Sequence, residues 1–249
     1  KFITFNNMSA SKIIKVNATR STNDKVKMLI KSKKIVSGDI ISAKYQYAGR
    51  GQLYNRWYSS NGKNLLCSLY FIFPKILANQ SYSINYAVSL SVLKTVRKFT
   101  SNQSYIKWPN DILSGHKKIS GILIENTIKS NKINSTIIGA GINVNQIIFR
   151  NIPNATSIKQ LSKKDIPVDN VLKELIKNYK FYFSKINNKE SLSKEYHQNL
   201  YGTDGCSFIL NGKIHKGKVI EVIESGQIKV KINSKGIGKY NSGDIKIII

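Results

Sequence analysis

The sequence predicts an α/β fold, helices and strands mixed in one large region, followed by a small C-terminal β-barrel. Three observations predict it. The stretch from Asn64 to Phe73, N-L-L-C-S-L-Y-F-I-F, is apolar almost without a break, as a strand buried on both faces must be. Ile84, Val88, Val92 and Val96 recur every four residues, with Ala87 and Leu93 beside them, which describes an amphipathic helix packed on a sheet. After Gly202-Thr203-Asp204-Gly205 the pattern changes to short strands with turns at Asn211-Gly212, Ser225-Gly226, Lys235-Gly236 and Ser242-Gly243. A chain of 249 residues can bury a real core. The change near residue 202 divides it into residues 1–201 and residues 202–249.

The other elements follow in order. Phe2-Ile3-Thr4-Phe5 is soon broken by polar residues, so no signal peptide is expected. Ser21-Thr22-Asn23-Asp24 precedes Val26, Met28, Leu29 and Ile30, a helix start with a small polar cap. Ser37-Gly38-Asp39 is a turn, and Ile40 to Tyr47 reads as a strand ending beside Gln46. The apolar run from Asn64 is closed by Pro74. Tyr105 to Trp108 is a short strand stopped by Pro109, and Ser114-Gly115 marks a hairpin into the strand Lys118–Glu125. Gly121 inside that strand signals close approach by a ligand or neighbouring backbone. In the strand Thr136–Val144, Gly139 and Gly141 stand two apart, share one face and leave a groove. Asn154 to Leu161 reads as a linker, Val171 to Ile186 as a helix and Glu190 to Leu200 as a weaker one.

The formal net charge of +27 invites a nucleic-acid reading. The lysines, however, are scattered along the whole chain beside abundant Asn and Ile, the residue usage of an AT-rich genome, so specific DNA binding is not expected. Cys67 and Cys206 are far apart and form no metal-type pair, which fits a reducing cytoplasm. No apolar run is long enough to span a bilayer. His116, His197 and His215 are isolated and read as surface histidines.

Against this lysine background Arg occurs only at positions 20, 50, 56, 97 and 150, and two of these lie in Ala48–Trp57, A-G-R-G-Q-L-Y-N-R-W. Arg offers a planar fork of donors that suits phosphate or carboxylate. Gly49 and Gly51 let the backbone approach a ligand, and Trp57 offers a flat ring. Ser21, Thr22, Asn23, Gln46, Arg50, Trp57, Lys107, Asn110, Asp111, Lys118 and Asn143 are polar or aromatic positions beside strand ends and loops, where sites are built. Cations, amides, glycines and one carboxylate neutralise and position a polyphosphate. The sets needed for ester hydrolysis or a metal centre are missing from the sequence.

G-R-G followed by R-W, K-W-P-N-D-I-L at 107–113, K-I-S-G-I-L-I-E at 118–125 and G-A-G-I-N-V at 139–144 together resemble the biotin–protein ligases. Ser21-Thr22-Asn23 and P-N-A-T-S at 153–157 fit the same resemblance, which runs from about Ser21 to the C-terminus. It implies a mixed sheet with flanking helices and a C-terminal barrel of Src-homology-three-like form. Too little chain precedes Ser21 for the family's winged helix, so the ligase-only type is expected. The implied reaction joins biotin to ATP as biotinyl-5′-AMP, then transfers the biotinyl group to a lysine of a biotin carboxyl carrier domain. Such carriers are commonly acidic, and a homodimer is possible.

By the same resemblance, Ser21, Thr22, Asn23, Gln46, Gly49, Gly51, Gln52, Gly121 and Gly139 would bind biotin. Arg50 and Lys118 would hold its carboxylate and the α-phosphate. Trp57, Lys107, Asn110 and Asn143 would take ATP, and Asp111 would place Mg²⁺ or orient the amine. The family loop usually continues G-R-G-R-x-G-R, whereas this chain has Gln52 where a second Arg is common and Tyr54 where Gly is common. A neutral amide holds an adenylate less firmly than a guanidinium, so the site is expected to be leakier, or else compensated by Arg56 or a nearby lysine. The competing readings are a lipoate or octanoate ligase of related fold, a basic nucleic-acid-binding protein, and a ligase fold that has lost its activity.

Overall fold

The computed structural model describes residues 12–53, 55–73, 76–150 and 152–249. Expectations on the opening segment, Tyr54 and Pro74 lie outside them. The central sheet has seven strands: β1 (Ile13–Thr19), β2 (Ile40–Gln46), β3 (Leu65–Phe71), β4 (Ser104–Lys107), β5 (Asp111–Ser114), β6 (Lys117–Lys129) and β7 (Lys132–Ile142). Their spatial order is β1-β2-β3-β7-β6-β5-β4. Only β1 and β2 run parallel, and each remaining neighbour pair is antiparallel, so the sheet is mixed as expected.

Helices cover both faces. α1 (Thr22–Lys31) sits on one, where Val26, Ile35, Ile41 and Ile137 form a small cluster. α2 (Tyr82–Phe99) and α4 (Val168–Ser184) cover the other, within the main core. Adjacent residues therefore part company: Ile40 belongs to the main core and Ile41 to the α1 side, as the twofold alternation of a strand requires. β3, buried at every position except Tyr70, lies mid-sheet as its apolar run predicted. Two elements differ from the sequence reading. β1 was not foreseen, and the expected linker at 154–161 contains a one-turn helix, α3 (Ile158–Ser162), capped by Ser157 accepting from Gln160 N.

α5 (Lys189–Gln198) leads to the second sheet: β8 (Cys206–Leu210), β9 (Lys213–Val222), β10 (Ile228–Ile232), β11 (Gly236–Tyr240) and β12 (Ile245–Ile247). All four expected turns are present, with Gly212, Gly226, Gly236 and Gly243 at positive φ. The expected barrel is not closed. The order is β11-β10-β9-β8-β12, and β12, only three residues long, pairs with β8 alone among the described strands. Phe208, Val219, Ile228, Val230 and Ile245 join the same core as α2. Trp108 Nε1 donates to Gly226 O at 3.0 Å and Tyr86 Oη to Val222 O at 2.9 Å, so the second sheet is held against the K-W-P-N-D turn. His197 completes this join and is not the surface histidine expected: its Nε2 accepts from Val222 N at 2.8 Å while Nδ1 faces Ser193 O at 2.7 Å.

Candidate active site

Three glycines make the trough. Gly121 on β6 and Gly139 and Gly141 on β7 lie in register, Gly121 opposite Gly141 and Leu123 opposite Gly139. Their face is the one under α1. Without side chains there, the sheet surface falls away and leaves a cavity of about 710 Å³, within the range of small-molecule sites. Its wall includes Ser21, Thr22, Asn23, Gln46, Arg50, Gly51, Gln52, Trp57, Asn110, Asp111, Lys118, Gly121, Gly139 and Asn143. Of the expected site residues, Gly49 and Lys107 alone are not on that wall. Gly49 sits at the base of the loop, where a Cβ would lie 2.5 Å from Trp57 O. Lys107 faces Asp111 across β4 and β5. Burial lowers its pKa, with Asp111 opposing that shift and the neighbouring Lys118 and Lys246 adding to it.

One end of the trough is a closed polar network. Gln46 Oε1 accepts from Thr22 N at 2.7 Å and Thr22 Oγ1 at 3.0 Å. Ser68 Oγ lies 2.7 Å from Thr22 Oγ1 and 2.5 Å from Asn23 Oδ1. Asn23 Nδ2 donates to Glu125 Oε2 at 2.7 Å. Ser21 is the N-cap residue of α1 but makes no side-chain capping bond, so its hydroxyl is not spent on the helix. The glycines give space first to the protein's own groups. A Cβ at Gly139 would meet Asn23 Oδ1 at 2.5 Å, and at Gly141 it would meet Trp57 Cε2 at 2.6 Å.

The Gly–Arg loop is a small hairpin. Trp57 N donates to Gly49 O at 3.0 Å and Gly51 N to Asn55 O at 2.7 Å, with Arg50 bridging Arg56. It lays the Trp57 indole over Gly121 and Gly141, leaving buried Nε1 without a partner among the described residues. Lys118 Nζ is 5.6 Å from the centre of that ring and 2.6 Å from Asp111 Oδ1. Asp111 Oδ1 accepts no hydrogen bond from the described residues, so this contact is an ion pair. Arg50 does not point a free guanidinium at the cavity as expected. Nη1 and Nη2 donate to the two Glu125 oxygens at 3.2 and 3.1 Å, and Nη2 also lies 2.7 Å from Asp24 Oδ1. Of the Arg50 nitrogens, Nε alone is left without an acceptor among the described residues.

Two expected nucleotide contacts have their amides engaged. Asn110 Nδ2 donates to Ile122 O at 2.8 Å and Asn143 Nδ2 to Thr156 O at 2.9 Å. Several wall residues escaped the sequence reading. Lys246 reaches the cavity from β12. Phe149 and Ile152 come from the loop after β7, and Ser68 supports the network from β3. Arg50, Arg56, Lys118 and Lys246 thus lie along a wall on which Asp111 is the one carboxylate among the described residues. Such a cavity suits an anion, and its buried polar end suits a compact ligand with donors and acceptors of its own.

A mixed sheet with a glycine-floored, cation-rimmed trough suits an anionic small-molecule ligand. Residues 16–143, just over half of the chain, match the model of the biotin/lipoate A/B protein ligase family. The chain is 31% identical over 219 residues to the bifunctional ligase/repressor BirA of Bacillus subtilis, covering 84% of this chain and 66% of that protein. Over 149 residues it is 28% identical to the biotin–[acetyl-CoA-carboxylase] ligase of Mycobacterium tuberculosis, 59% of this chain and 54% of that one. Its structure resembles the biotin protein ligase of Aquifex aeolicus solved with biotin and ATP, with a TM-score of 0.77 at 25% identity over 95% of this chain and 98% of that one. The chain belongs to the biotin/lipoate A/B protein ligase family. It spans just under two thirds of the length of the B. subtilis protein it matches.

Proposed function

We propose that the protein is a biotin–protein ligase. The observation that carries the reading is the pairing, in one cavity, of a neutral hydrogen-bonding end (Thr22, Asn23, Gln46) with a cationic end built on Lys118. A ureido ring needs such donors and acceptors, whereas a lipoyl or octanoyl tail needs an apolar channel. In the first step a biotin carboxylate oxygen attacks the α-phosphorus of ATP, the bond to the bridging oxygen breaks, and pyrophosphate leaves. Two anions must meet. Lys118, close to the trough floor at Gly121, supplies fixed positive charge for the charge that develops between them. In the second step the amine of a carrier-domain lysine attacks the acyl carbon, an amide forms and AMP leaves.

Asp111 fits a role in holding Mg²⁺. It is the one carboxylate on the described cavity wall, and Mg²⁺ takes one or two carboxylates and completes its shell with phosphates and water. When bound, the ion would neutralise phosphate charge. Trp57, whose indole lies over the trough, would lie beside the adenine. The high positive charge favours encounter with an acidic carrier. The two free cysteines fit a cytoplasmic setting, and no described helix is long and apolar enough to cross a membrane.

The test is incubation of the purified protein with biotin, ATP, Mg²⁺ and an acidic biotin carrier domain, followed by mass spectrometry. One biotinyl group on one carrier lysine is expected, with no modification when lipoate replaces biotin. Lipoylation without biotinylation would overturn the reading.

A further inference from the structure

Glu125 is saturated. Its Oε1 accepts from Lys27 Nζ at 2.7 Å and Arg50 Nη1 at 3.2 Å, and its Oε2 from Asn23 Nδ2 at 2.7 Å and Arg50 Nη2 at 3.1 Å. Four donors fill the usual acceptor sites of a carboxylate. Asp24 adds a second anion, 2.7 Å from Arg50 Nη2. The three chain segments involved are far apart in sequence: Asp24 is on the first turn of α1, Arg50 in the loop and Glu125 on β6. Arg50 therefore spends both terminal nitrogens on the protein. A cation already facing two carboxylates is a poor ligand for a third anion, but it is a good tether for the backbone that carries it.

We infer that Arg50, Asp24 and Glu125 form a latch that holds the described loop residues 49–53 and 55–57 closed over the trough, so that Asp24 and Glu125 are positioning residues and Arg50 acts mainly through them rather than on the substrate acid. The loop carries Gly51, Gln52 and Trp57 into the cavity wall, so its closure fixes these groups. The latch also couples the loop to the polar end of the site, because Glu125 holds Asn23 as well. Glu125's pKa agrees with this: burial would raise it, but hydrogen bonds from Lys27, Arg50 and Asn23 outweigh burial and hold the carboxyl below its ordinary value. The inference rests on the ligase reading for its ligand, not for its geometry.

The sign of one substitution separates latch from ligand cation. If Arg50 binds the substrate acid directly, neutralising Asp24 or Glu125 removes a competitor and biotin binds more tightly. If the three form a latch, the same change loosens the loop. The experiment compares wild type, Asp24→Asn, Glu125→Gln and Arg50→Lys in two readouts. One is the rate of biotin release by stopped flow; the other is trypsin cleavage after Arg50 and Arg56 without any ligand. Because the ion pairs are partly exposed, release about threefold to tenfold faster in both carboxylate variants is expected. Faster loop cleavage is expected alongside it. Asp24→Asn leaves the Asn23–Glu125 bond in place, so it remains informative if Glu125→Gln folds poorly. Unchanged or slower release, or unchanged cleavage, overturns the latch. If wild type binds no biotin, the ligase reading fails while the cleavage readout still decides the latch.

Discussion

Lys118 Nζ and Asp111 Oδ1 stand 2.6 Å apart on the wall of a trough floored by glycine. They sit on neighbouring strands, β6 and β5, where Leu113 faces Lys118 and Gly121 faces Asp111 across a register shift. The irregularity brings the two side chains together at the cationic end. An ammonium held by one carboxylate beside other cations keeps its position without losing its capacity for a further anion. Lys118→Ala should lower the rate of adenylate formation by about a hundredfold or more while changing biotin affinity much less. Single-turnover measurement of biotinyl-adenylate against calorimetry with biotin alone separates the two effects. A proportional loss of both would assign Lys118 to uniform binding.

Gly141 is set by the Trp57 indole, which a Cβ would meet at 2.6 and 2.7 Å. Gly141→Ala should overpack the contact by about 1–3 kcal/mol or push the indole out of the trough. Thermal denaturation and the emission of Trp57, isolated by comparison with Trp57→Phe, report which occurs. Unchanged melting and unchanged emission would show that the indole does not rest on the glycine.

Lys246 brings the second sheet into the site. It has no carboxylate within ion-pair distance among the described residues, and its charge helps lower the pKa of buried Lys107. Lys246→Gln should raise KM for ATP about threefold to tenfold, the scale of one partly exposed cation–phosphate contact, with calorimetric biotin affinity unchanged. A rise in KM for the carrier alone would place Lys246 in docking instead.

Gln52 lines the cavity near the loop tip, its carbonyl accepting from Asn55 N at 3.0 Å. Gln52→Arg should slow release of biotinyl-adenylate, measured by filtration of the enzyme after a burst. Equal retention by both proteins would remove the case for a leakier site.

Cys67 is 3% exposed, and burial pushes its thiol up to about 12; burial also pushes Cys206 up to about 11. The protonated form is the one the fold favours, so these thiols contribute stability below the unfolded value of about 8.5 and lose it as pH rises toward the folded values. Both should resist iodoacetamide at pH 8 in the folded protein and react after denaturation. Rapid labelling of native Cys67 would contradict its packing in the core.

Much of the site was legible because its residues are exceptions to local rules. Glycines inside strands, arginines among lysines and a small polar cluster before a helix each stand out without any tertiary information. What the sequence concealed is partnership. The partners of Arg50 were hidden because Asp24 and Glu125 are 26 and 75 positions away, and only the folded arrangement of α1, β6 and the loop brings them to it. Ser68 was hidden inside an apolar run, and Lys246 was one lysine among many until β12 placed it beside the trough. The small C-terminal β domain was legible from its turns, but its open edge was not, because turns reveal the number of strands and not whether the outer two meet. β1, with its alternating exposed and half-buried residues, carries too few apolar positions on one face to announce an edge strand.

The most direct measurement is biotin-dependent exchange of labelled pyrophosphate into ATP by the purified protein, beside Lys118→Ala. Exchange that requires biotin, is not supported by lipoate and is lost in Lys118→Ala is the predicted result. Absence of exchange in wild type with biotin, ATP and Mg²⁺ present, or undiminished exchange in Lys118→Ala, would contradict it.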